Sequence, residues 1–304
     1  MHNHLDRNLI GYGANPPDPQ WPGEARIAVS FVLNYEEGGE NTILNGDPHS
    51  ESYLTEVYGT VPLMGERDYS TESMYEYGSR AGFWRILRLF DERGMKFTSW
   101  AVGKALELNP AAGKAMADSG HEVATHGYRW INYKDFTLEQ ELDHIRKTVK
   151  ATIDSAGKAP VGWYTGRFGQ NSLRAVVRHG GFLYSSDSYN DDLPYWVKVE
   201  GTPHLIIPYT LEVNDMKFAV PPGFGIADGW LQSMKDAFDM LYAEGARSPK
   251  MMSVGIHCRL GGRPSRALTL ARFLDYVASK PKVWVATREQ IARHWMNVHP
   301  APAG

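Results

Sequence analysis

Short apolar runs alternating with amphipathic helical stretches constrain this chain more than any other feature. Residues 27–33 form an apolar run bounded by charge and glycine, the pattern of a buried parallel strand. Comparable runs recur at 97–102, 123–126, 161–165, 183–186, 205–210, 252–256 and 283–286. Between them lie helical faces. Phe83, Ile86, Leu87 and Phe90 share one, and Leu138, Leu142, Ile145, Val149 and Ile153 mark a long second one. Trp230, Met234, Phe238 and Leu241 give a third. A helix near 265–278 and a last one through Ile291, Trp295 and Val298 complete the series. Strands alternating with helices imply a parallel sheet, and seven or eight of them point to a (β/α) barrel, distorted and TIM-like.

Two stretches stand outside this alternation. Residues 1–25 carry Gly11, Gly13, Pro16, Pro17, Pro19 and Pro22 without periodicity, and read as an arm lying over the larger body, 26–304. Residues 40–78 form a long insertion rich in Gly, Glu, Ser and Tyr. Long insertions in compact domains are usually functional or interface-forming, so both stretches suit the contacts of a homo-oligomer.

Composition excludes several function classes. A net charge of −3 offers no electrostatic case for nucleic acid or an anionic membrane surface. The single cysteine, Cys258, excludes an internal disulfide framework and a multi-cysteine metal site, and at a strand end it reads as packing. With no secretory signal and no apolar stretch of spanning length, the cytoplasm is the expected compartment.

The polar residues collect at one end of the strands. Glu36 and Glu37 follow the first strand and His126 ends the third. Arg167, Asp187 and Asp215 follow three later strands, and His257 ends the run at 252–256. Strand C-termini are the face where barrel enzymes keep their active sites. Each residue also has a plainer reading. Adjacent carboxylates are usually a solvated loop, and in a strand at most one of the pair faces the barrel axis. A strand-closing histidine is often a satisfied core residue, and Arg167 could pair with a carboxylate. The run 185–192, dense in Ser, Asp and Asn, suits either a loop over a ligand or a turn cluster, and its place on the rim favours the ligand reading for Asp187. Trp84, Trp100 and Trp295 read as core.

Five blocks resemble the polysaccharide deacetylase (NodB-type) family. They are Ala28 to Gly38 running into a carboxylate pair, Gly120 to Trp130, Gly166-Arg167-Phe168, Ser186-Asp187-Ser188 and Ile256-His257. The resemblance implies that family's barrel. Its metal-dependent members use one Asp of the pair as base and bind the metal with the other and two histidines four residues apart. Here the pair is Glu36-Glu37, and Trp130 occupies the second histidine position. An indole nitrogen only donates, so two ligands remain, Glu37 and His126, where catalytic zinc usually takes three. No metal or other cofactor is therefore expected.

The arm and the insertion extend the likeness to one branch, the cofactor-independent allantoinases of purine breakdown. Asn8 to Gly13, Asn34 to Glu40, Tyr75 to Arg80, His126 to Trp130 and Asp191 to Trp196 carry it. It implies hydrolysis of allantoin to allantoate by a homo-oligomer, a tetramer. Glu36 stands where the family's catalytic base stands. Arg167 or His126 would then stabilise the oxyanion and His257 would protonate the departing nitrogen. Trp130, Trp163 and Tyr164 suit either a flat wall for a planar ring or ordinary packing, and Glu37 would hold the remodelled ligand pocket. Two alternatives stand beside this reading. One is a metal-dependent carbohydrate N-deacetylase or cyclic-imide hydrolase using Glu37, His126 and His257. The other is a catalytically dead barrel that only binds a ligand.

Overall fold

The computed structural model describes residues 1–302. Among these, ten strands join one sheet: β1 (His2–Asn3), β2 (Ile27–Tyr35), β3 (Thr98–Ala101), β4 (Glu122–Thr125), β5 (Gly162–Trp163), β6 (Tyr184–Ser185), β7 (Tyr195–Val199), β8 (Thr202–Ile206), β9 (Lys250–His257) and β10 (Val283–Val285). The helices are α1 (Tyr69–Tyr77), α2 (Phe83–Asp91), α3 (Gly103–Leu108), α4 (Pro110–Asp118), α5 (Leu138–Ala156), α6 (Ser172–His179), α7 (Ala227–Glu244), α8 (Pro264–Ala278) and α9 (Arg288–Val298).

The sheet runs β1-β7-β8-β6-β5-β4-β3-β2-β10, with β9 on the other edge of β2. Every pairing is parallel except the β7–β8 hairpin. β2 is the hub. It pairs with β9 from Ile27 to Asn34 on one side, while β10 and β3 share its other side, first half and second half respectively. No ladder joins β8 to β9, so the barrel of parallel strands and surrounding helices is left open at one seam. Arg288 spans that seam. Its guanidinium donates to the carbonyls of Ile207 and Pro208 beyond β8, to Ser186 beyond β6 and to Ser253 on β9. A fully buried cation there supplies, from one side chain, polar contacts that a missing ladder would otherwise leave unmade.

Alternation along β2 divides the core into two layers. Ile27, Val29, Phe31 and Leu33 face outward onto Phe90, Phe238 and Phe273 of the helices. Val32 faces inward, against Trp100, Ala124, Tyr164 and Tyr209. The helix faces read from sequence are the buried ones: Phe83, Ile86, Leu87 and Phe90 on α2, and Trp230, Met234 and Phe238 on α7. α5 and α9 each begin with a capping box, from Thr137 to Gln140 and from Thr287 to Gln290.

The structure adds to the sequence reading in three places. β7 and the antiparallel hairpin are new. The unperiodic arm contributes a two-residue strand, β1, and buries Trp21, whose Nε1 donates to the carbonyl of Lys250. The stretch read as insertion ends inside a helix, because α1 runs through a π turn at Gly78–Gly82 into α2. No helix of the described residues is long and apolar enough to cross a membrane.

Candidate active site

Strand parity decides which of the two adjacent glutamates enters the barrel. Ser30, Val32 and Asn34 share the inward set, and Glu36 continues it just past the end of β2. Glu36 lines a pocket at the strand C-termini with Asn34, His126, Trp130, Tyr164, Arg167, Tyr209, Asn214 and His257. Tyr53 and Leu54, from the insertion, also line that pocket.

Glu37 points the other way. One carboxylate oxygen accepts the Glu36 amide at 2.9 Å, and the other lies so close to Gly78 that a Cβ there would stand 2.1 Å away. Gly82, in the same π turn, lies against the carbonyl of Cys258, where a Cβ would stand at 1.9 Å. Two glycines thus let a helix press directly against the chain just past the ends of β2 and β9. π turns inside helices occur frequently at functional sites.

The Glu36 carboxylate is divided between two environments. Oε2 accepts from Arg259 Nη1 at 2.7 Å. Oε1 faces His126 Nε2 at 3.2 Å and His257 Nε2 at 3.5 Å, and forms no hydrogen bond of good geometry. It is the oxygen left to take a proton. Burial would raise the pKa of Glu36, but Arg259, His257 and His126 together outweigh it and hold the carboxyl well below the usual carboxylate range. Behind Glu36 the balance reverses. Burial and the neighbouring Glu36 push Glu37 up to about 7, against the pull of Arg259.

His257 is oriented by a third group. Asp215 accepts from its backbone amide at 2.7 Å and pairs with Nδ1 at 2.6 Å, while also accepting the Gly261 amide at 2.7 Å. Burial favours neutral imidazole, but Glu36 and Asp215 override it and raise the pKa. The two carboxylates thus favour the imidazolium form of His257, whose Nε2 faces the pocket.

Aromatic rings and one further guanidinium form the walls. Tyr164 stacks on Trp100 with centroids 3.8 Å apart, and Tyr209 meets Trp100 edge-on at 4.5 Å. Arg167 lies 3.8 Å over the Trp130 ring and donates to Glu51 and to the Trp130 carbonyl. Tyr53 stacks on the same indole from the roof.

Of the residues singled out from sequence, Glu36, His126, Trp130, Tyr164, Arg167 and His257 line this one pocket. Trp163 does not. It follows the opposite parity from Tyr164 and packs outward against Ile145, Ala175 and Val176. Its place is the core beneath α5 and α6, and the flat-wall role falls to its neighbour. Asp187 is also spent on structure, accepting from the amides of Thr165 and Gly166 and the Thr165 hydroxyl. It shapes the loop that carries Arg167. Arg259 was missed altogether, although it stands two residues past His257 and so shares its parity. Tyr53, Tyr189 and Asn214 carried no sequence signal.

The donor set does not fit a divalent ion. Glu37 is turned out of the pocket, the side chain at 130 is an indole, and a guanidinium already sits on Glu36. Among the described residues, no three His, Cys, Asp or Glu side chains are arranged to hold a metal.

Comparison with known proteins agrees with the architecture. Residues 67–181 match the polysaccharide deacetylase family model. A Schizosaccharomyces pombe protein carrying the polysaccharide deacetylase name is 47% identical, over 98% of this chain and 99% of its own. The chain belongs to the polysaccharide deacetylase family. A crystal structure of PuuE allantoinase superposes with a TM-score of 0.95 at 53% identity, covering 97% of this chain and 98% of that one. A Pseudomonas aeruginosa structure, also named for polysaccharide deacetylase, matches at 0.95 and 54%, over 97% and 99%. A Helicobacter pylori peptidoglycan deacetylase is 27% identical over 74% of this chain and 87% of its own. Within this family the site is thus one in which an arginine, not a ligand-ready carboxylate pair, meets the pocket's acidic group.

Proposed function

We propose that the chain is an amidohydrolase that opens the hydantoin ring of allantoin to allantoate, a step of purine catabolism, without a divalent metal. The observation that carries this reading is the roofed pocket in which Glu36 Oε1 lies free between two imidazoles while Asp215 orients His257 through Nδ1. The likeness to PuuE allantoinase over nearly the whole chain supports the choice of substrate. The roof supports it as well, because Tyr53 and Leu54 turn an open rim into a pocket suited to a small flat ring.

Ring opening needs an activated water, a polarised carbonyl and a proton for the departing nitrogen. Glu36 Oε1 takes a proton from water as the oxygen attacks the ring carbonyl. Oxyanion charge develops near Arg167 and His126. His257 Nε2–H passes its proton to the nitrogen as the C–N bond breaks, and the proton held on Glu36 resets the pair. A carboxylate held this low is ionised at pH 7 but weakly basic, so stabilisation of the oxyanion must supply the larger share of the rate. Tyr164 and Trp130 offer faces for the ring.

The assay is ring opening of allantoin by the purified chain, with deacetylation of N-acetylglucosamine oligomers as the competing activity. Turnover of allantoin alone agrees with the proposal. Turnover of the oligomers alone overturns it.

A further inference from the structure

Arg259 stands behind the pocket wall, shielded from solvent, and three separate features converge on it. Its side chain is 1% exposed, with Nη1 2.7 Å from Glu36 and 3.9 Å from Glu37. Its guanidinium lies 4.0 Å over the Tyr75 ring of α1, which fixes its plane. Its Nε donates to the carbonyl of Leu54 at 3.3 Å. Leu54 is a buried residue of the roof with φ of +53°, a left-handed conformation that branched and bulky side chains seldom adopt. Holding it there requires something beyond local preference.

We propose that Arg259 is the positioning residue of this site, keeping Glu36 ionised with Oε1 turned to the pocket and tying the roof to that same carboxylate. The inference rests on the reading of Glu36 as the base. The physical argument is direct. A fully buried carboxyl without a paired cation takes a proton rather than a charge. His257 can lose its charge as pH rises, whereas a guanidinium stays charged throughout. A fork with several donors also serves the carboxylate and the Leu54 carbonyl together, which a lysine ammonium on a flexible stem does less well. Base and roof are consequently set by one side chain.

The groups facing Glu36 are Arg259 just past β9, His257 at its end, His126 beyond β4, Glu37 beside it, Tyr53 of the roof and Tyr75 of α1; Asp215 stands behind His257. The experiment follows the Glu36 carboxyl by ¹³C NMR in labelled full-length protein without substrate, assigned through Glu36→Gln, as pH is lowered. Arg259→Met should raise its titration by about 1–3 pH units over the wild type, with Arg259→Lys between the two. In the allantoin assay at pH 7, where a carboxyl raised by this much from so low a start is still ionised, Arg259→Met should lose about 10²-fold in kcat through the lost orientation of Oε1, with KM changed less. Arg259→Lys should recover at least about tenfold of that loss. Exogenous guanidinium should raise the rate of Arg259→Ala, and the neutral analogue urea should not.

Unchanged titration of Glu36 in Arg259→Met overturns the proposal, and so does near-normal kcat. If Arg259→Met fails to fold, the double variant Glu36→Gln/Arg259→Met decides. Recovered thermal stability shows that pairing a charge was the role of Arg259, and no recovery shows a packing role and overturns the proposal. Should the wild type leave allantoin intact, the substrate reading fails while the NMR titration still judges Arg259.

Discussion

Asp215→Asn separates the orientation of His257 from its charge. Asparagine keeps the size of the side chain, and its carbonyl oxygen can still accept the two backbone amides, of His257 and Gly261, that now converge on one carboxylate oxygen. Its amide nitrogen then faces His257 Nδ1, where the carboxylate stood at 2.6 Å. Nδ1 must become an acceptor, so the ring is held neutral. One charge-assisted bond is lost, worth about 1.5–3 kcal/mol. At about 1.4 kcal/mol per unit, that lowers the pKa of His257 by about one to two units. In the wild type that pKa is raised above the ordinary histidine value. Its contribution to stability is thus complete below the unfolded pKa and lost as pH rises through the folded one. The activity of a cationic general acid follows the same limb. The assay is kcat for allantoin ring opening between pH 5 and 9, with thermal unfolding recorded in parallel. The basic limb should move down toward or below the ordinary histidine range of about 6.5, and kcat at pH 8 should fall by up to about 10–10²-fold. A folded variant whose basic limb stays in place would refute the assignment of His257 as acid.

Three further outcomes follow from the same geometry. Glu36→Gln should lose about 10²–10⁴ in turnover while still binding allantoin; Glu37→Gln, turned out of the pocket, should lose far less, and the reverse order would exchange their roles. Wild-type activity should persist on the acid side to below the usual glutamate range, because the depressed Glu36 loses its charge only there; an acid limb near pH 5 or above would contradict this. Arg288→Met should lower stability by about 3 kcal/mol or more in chemical denaturation, since two carbonyls and two hydroxyls at the open seam lose their donor, and a loss under 1 kcal/mol would deny the seam its importance.

The barrel was legible because its signals are local. Apolar runs and 3.6-residue periodicity are written into consecutive residues, so β2, α2 and α5 fall where the pattern puts them. β1 is two residues long and exists only because β7 lies beside it, which no local pattern records. Rim position marks Glu36, His126 and His257, while strand parity by itself leaves the choice between Glu36 and Glu37 open and the family position favours Glu36. Parity applied two residues past His257 reaches Arg259, and applied strictly at 163 and 164 it turns Trp163 outward. The contact between Tyr53 and Trp130 joins residues 77 positions apart through a loop without period, and only tertiary packing reveals it.

The central claim is hydrolysis of a cyclic amide by Glu36 and His257 with no divalent ion. Its most direct measurement is the rate of allantoin ring opening after exhaustive dialysis against a strong chelator, with the metal content of the same sample determined. The account predicts an unchanged rate at far less than one metal per chain. A rate lost on dialysis and restored by zinc or another divalent ion would contradict it.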